Sequence, residues 1–243
     1  MRRPRLRLWV FLLLVVSPSS AAAASGLIPF SLLKVEDRGE MEEIFYHPAL
    51  SRKVIGLRFR SRKEVYEYLL DHPDFATGVA RTLRLSKYRI DKDGGSYRAQ
   101  DYADYEGTKE RGMKGRFRVI YSDPAKRIMF VWGTYKKVLT IRARAILVLE
   151  YTHQAEEGET YVYSNLYGYV KIGHPILDLV TRLLSPILGA GMDRRMQKTL
   201  RLAAKISEEA YRDPAAFLEK LEGSGELHPE QLAEFRHVLC RGC

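Results

Sequence analysis

The stretch "HPILDLVTRLLSPILGAGMDRRMQKTLRLAAKISEEAYRDP", His174 to Pro214, decides how this chain is read. Its first half carries Ile176, Leu177, Leu179, Val180, Leu183, Leu184, Ile187 and Leu188 around much of a helical circumference. A helix so apolar is buried or touches lipid. The run is shorter than the ~20 residues a spanning helix needs. Ser185-Pro186 and Gly189-Ala190-Gly191 predict a break or kink. From Met192 to Tyr211 the pattern becomes amphipathic. Met196, Leu200, Ala203 and Ile206 form a narrow apolar stripe, and Asp193, Arg194, Arg195, Lys198, Arg201 and Lys205 face away from it. The second half therefore predicts a long helix against a core, and the first half a gate beside it or ordinary core packing.

Upstream of this stretch the period is two. "LTIRARAILVLEY" places Leu139, Ile141, Ala143, Ala145, Leu147, Leu149 and Tyr151 on one face, with Arg142, Arg144 and Glu150 on the other. Strands are expected over 85–91, 96–105, 114–122, 127–136 and 160–172, joined by turns such as Asp93-Gly94-Gly95 and Ser122-Asp123-Pro124. The last of them has Tyr161, Tyr163, Asn165, Tyr167 and Tyr169 on one face and Val162, Leu166, Val170 and Ile172 on the other. Either face suits a cavity wall. An earlier strand, 54–61, alternates Ile55, Leu57 and Phe59 with Arg58 and Arg60. Ser61 with Glu64 reads as a capping box for a helix stopped by Asp71-His72-Pro73, and a second short helix follows over 75–83.

The N-terminus reads "MRRPRLRLWVFLLLVVSPSSAAAASG": four arginines, an apolar run and small residues. That order predicts a secretory signal over 1–24 and a periplasmic or secreted protein. Loss of its four arginines lowers the net charge from +10 to +6. Such a balance suits anionic headgroups or an acidic ligand, and export disfavours nucleic acid as a partner. Residues 25–53 form a lead-in with a short helix near Glu40 to Tyr46, and 213–243 a helical extension after the long helix.

Chemistry-bearing motifs are few. The chain lacks G-x-S-x-G, H-E-x-x-H and G-x-x-x-x-G-K-[ST]. "DKDGGSY" opens like a calcium loop, but Tyr102 stands where a bidentate glutamate is required. His47, His72, His153, His174, His228 and His237 are scattered, and Cys240 and Cys243 have no second pair for a zinc site. We expect no catalytic residue, metal or cofactor.

The element order, with "RSRKEVYEYLLDHPDF" directly after the first strand and the long helix after the last, resembles the START-like helix-grip superfamily of polyketide cyclases, aromatase/cyclases and lipid-transfer domains. The resemblance covers about 54–212 and implies an α+β fold. A strongly curved antiparallel sheet of six to seven strands would wrap the C-terminal helix. It also implies an apolar cavity between sheet and helix for a lipid or other hydrophobic small molecule. A cyclase- or hydrolase-like enzyme acting on an apolar substrate there is the alternative. The expected lining is Phe117, Val119, Phe130, Trp132, Ile141, Ala143, Ala145, Tyr163, Asn165, Tyr167, Leu183, Ile187, Met196 and Leu200. Leu179, Leu184 and Leu188 with Arg182, Arg194 and Arg195 are the expected gate and transient membrane contact.

Overall fold

A computed structural model describes residues 26–101, 112–136, 140–173 and 185–240. The chain opens with a 3-10 turn, Phe30–Leu32, and helix α1, Val35–Tyr46. Strand β1, Leu50–Arg60, is followed by α2, Lys63–Asp71, and α3, Pro73–Thr82. Six strands come next: β2, Arg89–Asp93; β3, Ser96–Asp101; β4, Gly112–Asp123; β5, Lys126–Lys136; β6, Thr140–Glu156; and β7, Glu159–Ile172. The long helix α4, Ser185–Arg212, then leads into α5, Pro214–Glu222, and α6, Pro229–Cys240.

The seven strands form one antiparallel sheet in the order β1-β7-β6-β5-β4-β3-β2. Every pairing is between chain neighbours except β1 with β7, which brings the first strand alongside the last. This is an α+β helix-grip arrangement, a curved sheet with α4 against its inner face. α4 packs chiefly along β1, with α2 and α3 beside it. On that face Met196, Leu200 and Ala204 of α4 meet Phe59, Tyr66, Leu149, Tyr151, Val162 and Leu166. The C-terminal half of α4 shares a second core with α2, α3, α5 and α6 through Ile206, Ala210, Leu69, Phe75, Val79, Phe217 and Phe235.

Two glycines mark where α4 and β1–β7 come closest. A Cβ at Gly168 would strike Met192 Cε, and one at Gly189 would run into the Arg52 guanidinium. Asp193, one helical turn beyond Gly189, lies 3.6 Å from that same arginine.

The outer face carries its own cover. Residues 26–46 lie across it, with Ile28, Leu33, Met41, Ile44 and Phe45 packed on Ile128, Phe130, Ile146 and Val148. Ion pairs fix the strap. Arg144 reaches Glu40 at 2.6 Å, Lys171 reaches Glu43 at 3.5 Å, and Arg118 pairs with the buried Asp37. The lead-in is thus a second layer on the sheet, with a helix beginning at Val35 rather than Glu40.

Several local expectations change. α4 runs unbroken through Gly189 and Gly191. Pro186 is its second residue, where a missing N–H costs no intrahelical bond. The capping box does not form: Arg62 is the N-cap of α2 and the Ser61 hydroxyl donates to the Arg62 carbonyl at 2.9 Å. In β1 a bulge at Ile55-Gly56 leaves Ile55 exposed instead of sharing the face of Leu57 and Phe59. Asn165 Oδ1 accepts the Gly56 N–H there at 2.8 Å, giving that donor a partner where the ladder is interrupted.

Candidate functional site

Cross-strand register defines what the inner face presents. One row runs Tyr97, Phe117, Val131, Ala145, Val170, Leu50; the next runs Val119, Met129, Leu147, Gly168, Arg52. Met129 and Leu147 pack into the core that holds Met192, Met196 and Leu200, which orients both rows toward α4. Because the helix follows β1, it leaves the β4–β6 part of this face less covered. Val119 is 39% exposed, and Phe117, Met129, Val131, Ala143, Ala145, Leu147, Val170 and Met192 are all half-buried.

A third row, Ala99, Gly115, Gly133, Ala143, carries almost no side-chain volume. Gly115 and Gly133 face each other directly, and a Cβ at Gly133 would sit 2.5 Å from the Lys114 carbonyl oxygen. The bare backbone lets the strands approach and bend there. The result is an apolar trough with a low floor.

The lower end of the trough is polar and closed. Arg127 is buried and grips Asp71 at the end of α2 through two bonds, Nε to Oδ1 at 2.9 Å and Nη2 to Oδ2 at 3.2 Å. Desolvation works against its charge, but the Asp71 hydrogen bonds and nearby oxygens hold the guanidinium pKa above the usual value. Tyr97 stacks on Phe117 with ring centres 5.1 Å apart and donates to the Asp71 carbonyl at 3.2 Å. Deeper lies Tyr66, hydrogen-bonded to Ser164 at 3.2 Å and edge-on to Tyr151 at 5.3 Å. Burial pushes the Tyr66 phenol up to about 12, and burial also raises Tyr151. His153, beside both rings, is held below its ordinary value by desolvation and then by Lys63. Burial thus favours the neutral forms of Tyr66, Tyr151 and His153. Among the described residues no cluster of three His, Cys, Asp or Glu side chains is placed to hold a metal.

The expected lining divides between the two faces. Phe117, Val119, Ala143, Ala145, Met196 and Leu200 are on the inner face or on α4 against it. Phe130, Trp132 and Tyr167 lie on the outer face with the core under α1. Tyr163 and Asn165 share that outer side. The Tyr163 hydroxyl donates to Glu156 at 2.5 Å and accepts from Arg58, while Asn165 serves the β1 bulge. For β7 the unbroken pairing of Ala145 with Val170 and Leu147 with Gly168 puts the tyrosine row on the other face; for Phe130 and Trp132 the physical cause is the bulge at Ile120. Val119 pairs with Met129 and Tyr121 with Ile128, so one residue is extra in β4. Uninterrupted pairing back from the Asp123–Lys126 turn would set Val119 opposite Phe130 and give both the same face. One inserted residue reverses the face. Met129, Val131 and Leu147 therefore line the trough and were missed; of these, Leu147 was legible from its alternation with Ala143 and Ala145.

The side chains of Ile141, Ile187 and Leu188, and all of Leu179, Arg182, Leu183 and Leu184, lie outside the described residues. Arg194 is exposed on α4, and Arg195 is half-buried. Among the described residues no helix is long and apolar enough to cross a membrane.

No family model matches the chain, and no curated protein matches it. Solved structures give distant likenesses. A conserved protein from Geobacillus kaustophilus is 14% identical, with 66% of this chain and 97% of that chain covered at a TM-score of 0.45. Ara h 8.0201 is 8% identical over 64% and 96%, TM-score 0.38. The di-domain ARO/CYC BexL from the BE-7585A biosynthetic pathway is 13% identical over 71% and 55%, also 0.38. At these scores the activity of the chain has to be argued from its own residues.

Proposed function

We propose that the chain is an exported carrier that binds a hydrophobic small molecule, of the lipid class, in the trough between the inner face of β4–β6 and α4. The observation that carries this reading is the half-buried apolar strip Phe117, Val119, Met129, Val131 and Leu147 beside the Gly115–Gly133 row. Elsewhere on the same sheet the apolar side chains Leu149, Val162 and Leu166 are sealed. An apolar surface left partly wet inside a fold gains about 25 cal/mol for each Å² a ligand covers. The bare Gly–Ala row gives an acyl chain or fused ring room to lie against backbone. Only the surplus over association costs appears as affinity. The signal-like first 24 residues support export.

The enzyme reading draws on one observation, the Tyr66–Tyr151–His153 cluster with its shifted acidities. Tyr66 is fully buried and already bonded to Ser164, beneath the α4 contact rather than open to the trough. That arrangement favours a structural use and leaves the carrier as the better account. Protein purified from its own envelope fraction, under conditions that retain non-covalent ligands, is expected to show an apolar mass in native mass spectrometry. A protein of bare mass from every fraction, together with no uptake of added lipid, would overturn the reading.

A further inference from the structure

Most described cations of the sheet and its strap are matched by a carboxylate. Arg58 meets Glu156, Arg60 meets Glu159, Arg118 meets Asp37, Arg144 meets Glu40, and Arg98 and Arg116 share Asp93. The solvent side of α4 differs. Arg194, Lys198, Arg201 and Lys205 are exposed and pair with no carboxylate among the described residues. Their spacing of four, three and four residues puts them on one side of the helix. At 1.5 Å per residue the row is about 16 Å long. Of the three acids of this helix, Asp193 turns to Arg52 and Glu209 is taken by Arg212 and Lys220. Glu208, three residues past Lys205, ends the row, forms no ion pair with it among the described residues and lies in the field of Arg60.

We propose that this row docks the protein on an anionic lipid surface. A straight line of unpaired cations on a rigid helix suits a flat sheet of phosphate headgroups, each cation strengthening binding by roughly fivefold near the surface. The row lies on the helix whose Met192 and Met196 border the trough, so a docked helix holds the trough next to the bilayer. The position of the site depends on the carrier reading; the docking itself does not. Nucleic acid is the other polyanion such a row fits, and the signal-like N-terminus argues against it.

The test is sedimentation with vesicles of phosphatidylcholine alone and of phosphatidylcholine in which about a third of the lipid is phosphatidylglycerol. Binding is expected to the anionic vesicles only, and to disappear in high salt as the Debye length falls to about 3 Å. The fourfold variant R194Q/K198Q/R201Q/K205Q is expected to bind about 600-fold more weakly, four losses of about fivefold each. A variant with the same charge loss elsewhere, K34Q/K53Q/K87Q/K92Q, should bind within a few fold of the parent. Equal losses in both variants would reduce the effect to net charge and overturn the proposal. So would tighter, row-dependent binding to duplex DNA than to the vesicles. Uptake of the neutral probe N-phenyl-1-naphthylamine, measured in parallel, should be unchanged in the R194Q/K198Q/R201Q/K205Q variant. If the parent takes up no probe yet sediments with anionic vesicles through the row, the carrier reading fails and the docking stands.

Discussion

The two faces of the sheet are built from similar strands and finished differently. The outer face is sealed by α1, with large side chains such as Phe130 and Ile146 under Phe45 and Ile44 and with ion pairs at the margin. Among the described residues, the inner face is sealed where α4 and α2 pack on β1, β7 and the adjoining end of β6. Toward β4–β6 it turns to alanine and glycine and leaves Val119 39% exposed. A sheet that needed only stability would place large side chains under both layers. The difference points to a surface held open for an occupant, and it sets what substitutions on each side should do.

The largest contrast is in stability. Phe45→Ala removes a ring packed edge-on against Phe30 and Tyr46 and tilted against Tyr169, and should cost about 3–5 kcal/mol in denaturant unfolding. Val119→Ala on the inner face should cost at most about 1 kcal/mol. Equal costs would show that the inner strip is core like the outer one. Asp71→Ala comes next. It strands Arg127, whose side chain is only 8% exposed, and since the Asp71 side chain is 48% exposed the loss should be about 1–3 kcal/mol.

The pH response is smaller and specific to the sealed end of the inner face. Tyr66 holds its proton to about pH 12, above the ordinary phenol value near 10. The folded state thus binds this proton more tightly. Its contribution is complete below pH 10 and is lost as the pH rises toward 12. Urea titrations across that interval should show stability falling, and Tyr66→Phe should flatten the fall by about 2 kcal/mol at its upper end. His153 has the opposite sign. Its depressed value means the fold prefers neutral imidazole, so stability is lost as the pH falls below about 6.5. The smallest effect belongs to Ser207 on α4, whose hydroxyl is buried with no hydrogen-bond partner among the described residues. Ser207→Ala should raise the unfolding midpoint slightly, by about 0.5–1 kcal/mol of stability, because it removes a desolvated polar group and favours the helix.

Much of the fold was readable because period-two alternation is strict in β6 and β7 and the 3.6-residue stripe is clear in α4. Those elements fix the sheet and its gripping helix. The site was readable only in part. Ala143, Ala145, Phe117 and Val119 lie on the inner face as their alternation implies, but Phe130 and Trp132 do not, because pairing register is a property of two strands. The Ile120 bulge has no strong local signature: β-branched isoleucine suits an ordinary strand position as well. The strap was obscure for a related reason. α1 has Asp37, Met41, Ile44 and Phe45 buried in a polar sequence, so its contact with the sheet rests as much on charge pairs with Arg118 and Arg144 as on an apolar stripe. The tyrosines of β7 could belong to either face until β1 and α1 were placed against them.

A fluorescence titration of N-phenyl-1-naphthylamine against the protein and two variants bears most directly on the open inner face. Ala145→Trp fills the trough between Val131 and Val170, and Tyr167→Phe changes the opposite face of the same sheet. The parent and Tyr167→Phe should show saturable binding of matching affinity. Ala145→Trp, folded by circular dichroism, should lose at least about tenfold, the equivalent of ~1.4 kcal/mol. Undiminished binding in Ala145→Trp, or none in the parent, would contradict a ligand seat between the sheet and α4.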